Sequence, residues 1–140
     1  MTPQAARTTK IFINLPIKHL QRSVEFFTKL GFAFNQQFTD EHAACMILSE
    51  EAFVMLLVES RFKDFTSRQI CDTRTHVEGL FSLSAASRAD VDHVADTALA
   101  AGGTFVEDPQ DYGFMYTRSF QDLDGHSWSV LWMDPNHLQK

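Results

Sequence analysis

The side chains able to hold a metal or move a proton in this 140-residue chain are six histidines, two cysteines and a spread of carboxylates. His19, His42, His76, His93, His126 and His137 stand well apart. His42 and Cys45 lie three apart, which on a strand aims them at opposite faces. Zinc would need two further donors, and none is near in sequence. His126 shares parity with Trp128 and Trp132, so a structural place against a helix layer is expected for it. Asp122-Leu123-Asp124-Gly125 has the outline of a calcium loop, but Phe120 and Leu131 fall where the first and twelfth ligands belong. A tight turn is expected instead. Cys71 lies between Arg68 and Arg74, neighbours that would lower a thiol pKa; a lone surface thiol is the plainer expectation. There is no G-x-S-x-G elbow, P-loop or G-x-G-x-x-G fingerprint. No catalytic residue is therefore assigned. Tyr112, Phe114 and Tyr116 surround Gly113 in an aromatic loop. Closing over a ligand and packing on a second subunit are both open for it. Arg118 either holds an acidic group or answers an acidic surface.

The elements that would position these residues repeat at half-length. Ile11 to Leu15 is a strand, which Pro16 is expected to end for want of a ladder donor. Leu20, Val24, Phe27 and Leu30 recur at helical steps. His19 stands at the N-cap without a good capping group, and Gly31 sits where a helix C-terminus favours glycine. Three strand-like runs follow at Phe32 to Phe38, Ala43 to Leu48 and Phe53 to Val58. The second half repeats the plan. Leu80 to Ser84 alternates with period two, and Ser87 with Asp90 approaches a capping box. Val91, Val94, Ala95, Ala98 and Leu99 form a helical stripe closed by Gly102-Gly103. Thr104 to Val106, Tyr116 to Phe120 and Ser127 to Met133 supply three more strands. Residues 1–140 thus read as one α+β domain of two βαβββ modules, about 8–58 and 78–134. The polar linker at about 59–77 carries Phe62, Phe65 and Ile70, which argues for a short packed helix or lid.

Composition bounds the function. Hydrophobic residues make up 44% and charged residues 21%, a globular balance. The formal charge of −6 argues against nucleic-acid backbones and anionic membranes as partners. The longest apolar run, Ala52 to Val58, is far short of the roughly 18 residues that span a bilayer. No secretory signal pattern is read in the polar stretch Thr2 to Lys10. Two cysteines make no disulfide framework, so a reduced cytoplasmic protein is expected.

The wording of the two ends carries more. NLPIKHLQRSVEFFTKLGF at 14–32 resembles the opening of the vicinal oxygen chelate superfamily, and SFQDLDGHSWSVLWMD at 119–134 resembles its closing turn and last strand. The resemblance is to the glyoxalase/bleomycin-resistance/dioxygenase branch, in its lactoylglutathione-lyase-like group. It implies paired βαβββ modules whose sheets curl into a half-open barrel with helices outside. It also implies four metal-ligand positions, which fall here on Phe12, on Leu56 or Leu57, on Leu80 and on Ser129. None is an imidazole or a carboxylate, and a divalent cation needs nitrogen or oxygen donors. No metal and no cofactor is therefore expected.

Period-two logic gives the residues expected to line the sheet cavity: Phe12, Asn14, Leu80, Ser82, Ser84, Ser129 and Leu131, with Phe114 and Tyr116 at the rim. These are apolar walls with neutral polar groups, suited to a small apolar or aromatic ligand. The alternatives are a glyoxalase-like lyase, isomerase or dioxygenase with its metal elsewhere, and a non-catalytic scaffold. The resemblance implies a homodimer, and the apolar load on the loops places some of Phe62, Phe65, Tyr112, Phe114 and Tyr116 at its interface or the cavity rim.

Overall fold

A computed structural model describes residues 9–137. Its packing divides the chain into two compact units, one built from residues up to Val24 with Phe32–Arg68, the other from Glu25–Gly31 with Gln69 onward. Each unit carries one sheet, and neither sheet closes on itself.

In the first unit β1 (Ile11–Ile17), β4 (Ala52–Val58), β3 (Ala43–Ile47) and β2 (Ala33–Asn35) lie side by side in that order. β1 runs parallel to β4, and the other pairs are antiparallel. Pro16 does not end β1: it pairs in register with Leu57, and the strand continues to Ile17. β1 is an edge strand, where proline is tolerated because one side of the strand has no ladder to feed. The run expected as a strand from Phe32 to Phe38 is strand only at Ala33–Asn35 and then a 3₁₀ turn at Gln36–Phe38. Asn35 causes the change, since its side-chain oxygen accepts from Gln37 N–H at 2.9 Å, a local bond that competes with the ladder. Leu15, Ile17, Val54, Leu56, Ala44 and Met46 share one face and are all buried. The linker opens on a four-residue helix, α2 (Glu59–Phe62), none of whose residues is buried.

In the second unit β5 (Leu80–Ser84), β9 (Ser127–Met133), β8 (Met115–Gln121) and β6 (Thr104–Phe105) lie in that order. A further two-residue strand, β7 (Gln110–Asp111), pairs with β8 inside what the sequence reads as loop. α3 (Arg88–Ala100) starts as its sequence predicts: Ser87 Oγ accepts from Asp90 N–H at 3.1 Å. The Asp90 carboxylate reaches back one residue further than a capping box requires, to Ala86 N–H at 3.2 Å. Val91, Ala95 and Ala98 bury the stripe. Gly102, at φ +107, makes the turn out of the helix.

α1 (Leu20–Lys29) is split between the units. Its buried positions are Ser23, Phe26 and Phe27, followed just past its end by Leu30, while Leu20 and Val24 are half-buried. The apolar face is thus rotated towards Phe26 relative to the expected stripe. Phe26 lies 6.3 Å from Phe120, and Phe27 lies 5.4 Å from Trp128, ring to ring. Aromatic pairs at this spacing contribute about 0.5–1.5 kcal/mol beyond their burial.

Candidate ligand-binding surface

Register decides which side chains share a face. In the second sheet Phe81, Trp128 and Phe120 pair across strands, as do Leu83, Val130 and Arg118. This face carries the helices, because Tyr116 and Arg118 bond to Asp92 of α3 and Phe120 and Trp128 meet α1. The opposite face is read from the same registers. Leu80, Ser127 and Gln121 form one row, Ser82, Ser129 and Ser119 the next, Ser84, Leu131 and Thr117 a third. Ser119 Oγ and Ser129 Oγ share a hydrogen bond at 2.9 Å. None of these side chains is ionisable, and Leu80 is 77% exposed. Leu80, Ser82, Ser84, Ser129 and Leu131 therefore stand together, as their alternation predicts.

Two of the expected rim residues stand elsewhere. Tyr116 is on the helix face, its hydroxyl donating to Asp92 Oδ1 at 2.6 Å. Its register with Trp132 puts it there, one residue out of step with Thr117. Phe114 stands outside the strands, 4.2 Å from the His137 ring and 6.5 Å from Tyr112. The loop carrying both aromatics is tied to the start of α3 by Arg88, which makes two bonds to the Asp111 carboxylate, at 2.8 and 3.0 Å, and one to Gly113 O. Arg88 also lies 5.2 Å from the rings of Tyr116 and Trp132. Sequence reasoning passed over Arg88. Its signal is weak: a first-turn helix position, 23 residues ahead of its partner.

Phe12 and Asn14 belong to the first sheet, on the face opposite Leu15 and Leu56. Phe12 is half exposed and stacks on Phe53 at 4.9 Å. The Asn14 amide donates to Phe12 O at 3.2 Å. Met55 and Cys45 lie on the same face, and Leu57 shares it whereas Leu56 does not. The positions that the resemblance assigns to metal ligands thus hold Phe12, Leu57, Leu80 and Ser129, which offer one neutral hydroxyl between them. A divalent cation does not fit such a set. Among the described residues no three His, Cys, Asp or Glu side chains form a group able to hold a metal.

The titratable side chains gather elsewhere. Arg118 is 16% exposed and bonds Asp92 at 3.1 Å and Asp96 at 2.7 Å, so its role is to tie α3 to β8. The Tyr116 hydroxyl and then Arg118 hold the Asp92 carboxyl below its ordinary value. Asp92 therefore adds stability that is fully present above the unfolded carboxyl pKa of about 3.9 and is lost as pH falls through the lower folded value. Asp92→Asn is expected to cost about 1 kcal/mol near pH 7, since Asp92 is half exposed and Arg118 keeps Asp96. Its deficit relative to the parent should shrink in denaturation curves below pH 4, and a deficit that is constant from pH 7 to pH 3 would contradict the role given to its charge.

His126, 1% exposed, contacts the Glu78 carboxylate through Nδ1, a structural role as its parity predicts. Asp122 is also buried. It accepts from Asp124 N–H, His126 N–H and Trp128 Nε1–H at 2.9–3.0 Å, which makes the expected tight turn. Burial pushes its carboxyl up, and His126 and these donors pull it back. Burial, then Glu78, raise the Cys71 thiol pKa, the opposite of the lowering that Arg68 and Arg74 would give. Arg74 does not serve the thiol because it is held in two bonds by Asp72.

The comparisons agree with this architecture. A hypothetical protein from S. aureus, SA1046, superposes with a TM-score of 0.74 at 27% identity, covering 87% of this chain and 91% of that one. A glyoxalase-related enzyme from Fulvimarina pelagi gives 0.75 at 15% identity over 91% and 88%. A lactoylglutathione lyase from Agrobacterium tumefaciens gives 0.64 at 15% identity over 97% and 100%. No curated protein matches the sequence. The family model for the glyoxalase/bleomycin resistance protein/dioxygenase superfamily matches residues 11–130. With its α+β plan of two open sheets and its closing Asp-Leu-Asp-Gly-His turn, the chain belongs to that superfamily.

Proposed function

We propose that this chain binds a small apolar or aromatic molecule without a metal, in the manner of a resistance or sequestration protein. The supporting observation is the helix-free face of the second sheet, where Leu80, Ser82, Ser129 and Leu131 present apolar and hydroxyl groups and no charge. The corresponding face of the first sheet carries Phe12, Phe53 and Asn14, with the Lys10 ammonium 5.8 Å from the Phe53 ring as its cation. Abstraction of a carbon-bound proton needs a base and a stabiliser for the oxyanion, and these faces hold neither a carboxylate nor an imidazole. Ser129→Phe tests the assignment, because its ring would cover the serine row on a half-buried position. The variant should fold as the parent does and lose at least tenfold in affinity for Nile red, read by fluorescence titration. Equal affinity would move the ligand off this face.

The chain is further proposed to act as a homodimer. Phe65, Tyr112 and Phe114 are 73%, 55% and 37% exposed, an apolar load that association would cover. Light scattering at micromolar concentration should then give twice the 15.9 kDa chain mass, and a value near one chain mass would contradict it. Cys45 and Cys71 are both free, which supports a reducing, cytoplasmic setting. Among the described residues no helix is long and apolar enough to cross a membrane.

A further inference from the structure

We infer that the row Ser82–Ser129–Ser119 selects an uncharged ligand bearing a hydrogen-bond acceptor, such as a ketone, ester or amide carbonyl on an aromatic body. This rests on the binding reading above and names the class of molecule it takes. A sheet face turned to water ordinarily carries charged side chains among its polar ones. Here the three rows are serine, threonine, glutamine and leucine only. The basic side chains placed on this sheet and its helix are committed on the other side: Arg118 to Asp92 and Asp96, Arg88 to Asp111. A carboxylate, sulfonate or phosphate on the serine face would find no cation to replace its water, and a charged group desolvated without a partner is costly. An organic cation would find no carboxylate.

The hydroxyls match a neutral acceptor better. In the Ser119–Ser129 pair one hydroxyl donates to the other at 2.9 Å, so the accepting hydroxyl keeps its own proton to give. Ser82, level with Ser129 in the register, forms no side-chain bond among the described residues and is exposed. The row therefore offers two free donors, Ser82 and whichever of Ser119 and Ser129 accepts within the pair. Leu80 and Leu131, two residues away along their strands, supply apolar contact for the body of the ligand. A carbonyl that takes one or both donors is held in a fixed orientation, whereas the matching hydrocarbon gains only the apolar contact.

Three probes that share a naphthalene ring test this: the neutral ketone 6-propionyl-2-dimethylaminonaphthalene, the anion 8-anilinonaphthalene-1-sulfonate, and unsubstituted naphthalene. The ketone should bind the parent at least tenfold more tightly than the sulfonate. Ser82→Ala with Ser129→Ala should weaken the ketone about tenfold and leave naphthalene within twofold, with circular dichroism reporting an intact fold. If the sulfonate binds as tightly as the ketone, or the double variant binds the ketone unchanged, ligand binding stands and the selection is overturned. If none of the three binds, the binding reading falls and the selection with it.

Discussion

Trp128→Ala is expected to lower the unfolding free energy by about 3–5 kcal/mol, the range for removing a large buried aromatic. Trp128 is 1% exposed and lies 5.4 Å from Phe27 and 5.3 Å from Phe81, ring to ring. Alanine would leave a void between α1 and the sheet. It would also strip the buried Asp122 carboxylate of the Nε1–H donor now 2.9 Å away. Trp128→Phe separates the two effects: it keeps most of the volume and loses only the donor, for about 1–3 kcal/mol. Trp132→Ala should cost less, about 1–2 kcal/mol, because Trp132 is half-buried under the Arg88 guanidinium. Denaturant unfolding of the three variants gives the order directly. A larger loss at Trp132 than at Trp128 would contradict the packing described for the last strand.

Gly125→Ala is expected to cost about 2–3 kcal/mol, from two sources. Gly125 has φ +81, a region that costs an L-residue about 1–2 kcal/mol. A Cβ there would also land on Thr73 Oγ1 and push the linker off the turn, breaking the bond from Thr73 to Asp124 O at 2.5 Å. That bond is worth about 1 kcal/mol. The two sources separate in a double-mutant cycle. Thr73→Gly removes both the hydroxyl and the Cβ that the new methyl would meet, so Gly125→Ala should cost about 1 kcal/mol less in the Thr73→Gly background than in the parent. Strict additivity would mean that the linker does not rest on the turn.

Much of this was legible from periodicity. The alternation in Leu80–Ser84 and Ser127–Met133 placed Ser82 and Ser129 on one face and Trp128 on the other, because a strand repeats every two residues and both strands run in one parallel register. Ser87 announced α3 through its capping chemistry. What periodicity missed depended on contacts distant in sequence. Tyr116 reads as an aromatic beside a glycine loop, and only its register with Trp132 shows that it faces α3. Cys71 has two arginines nearby in sequence, yet the group beside its thiol is Glu78. Pro16 reads as a strand end, and its tolerance depends on β1 being an edge. Trp128 and Trp132 share parity, and their unequal burial depends on which helix residues reach each.

The most direct test of the central claim, that an uncharged molecule binds the helix-free face of the second sheet, is an amide chemical-shift map. The ¹⁵N-labelled protein would be titrated with 6-propionyl-2-dimethylaminonaphthalene. The account predicts saturable shifts centred on Ser82, Ser119 and Ser129 in β5, β8 and β9, with Asp92 and Asp96 of α3 unmoved. Shifts centred on α3, or on the loop carrying Tyr112 and Phe114, with the serine row unmoved, would contradict it.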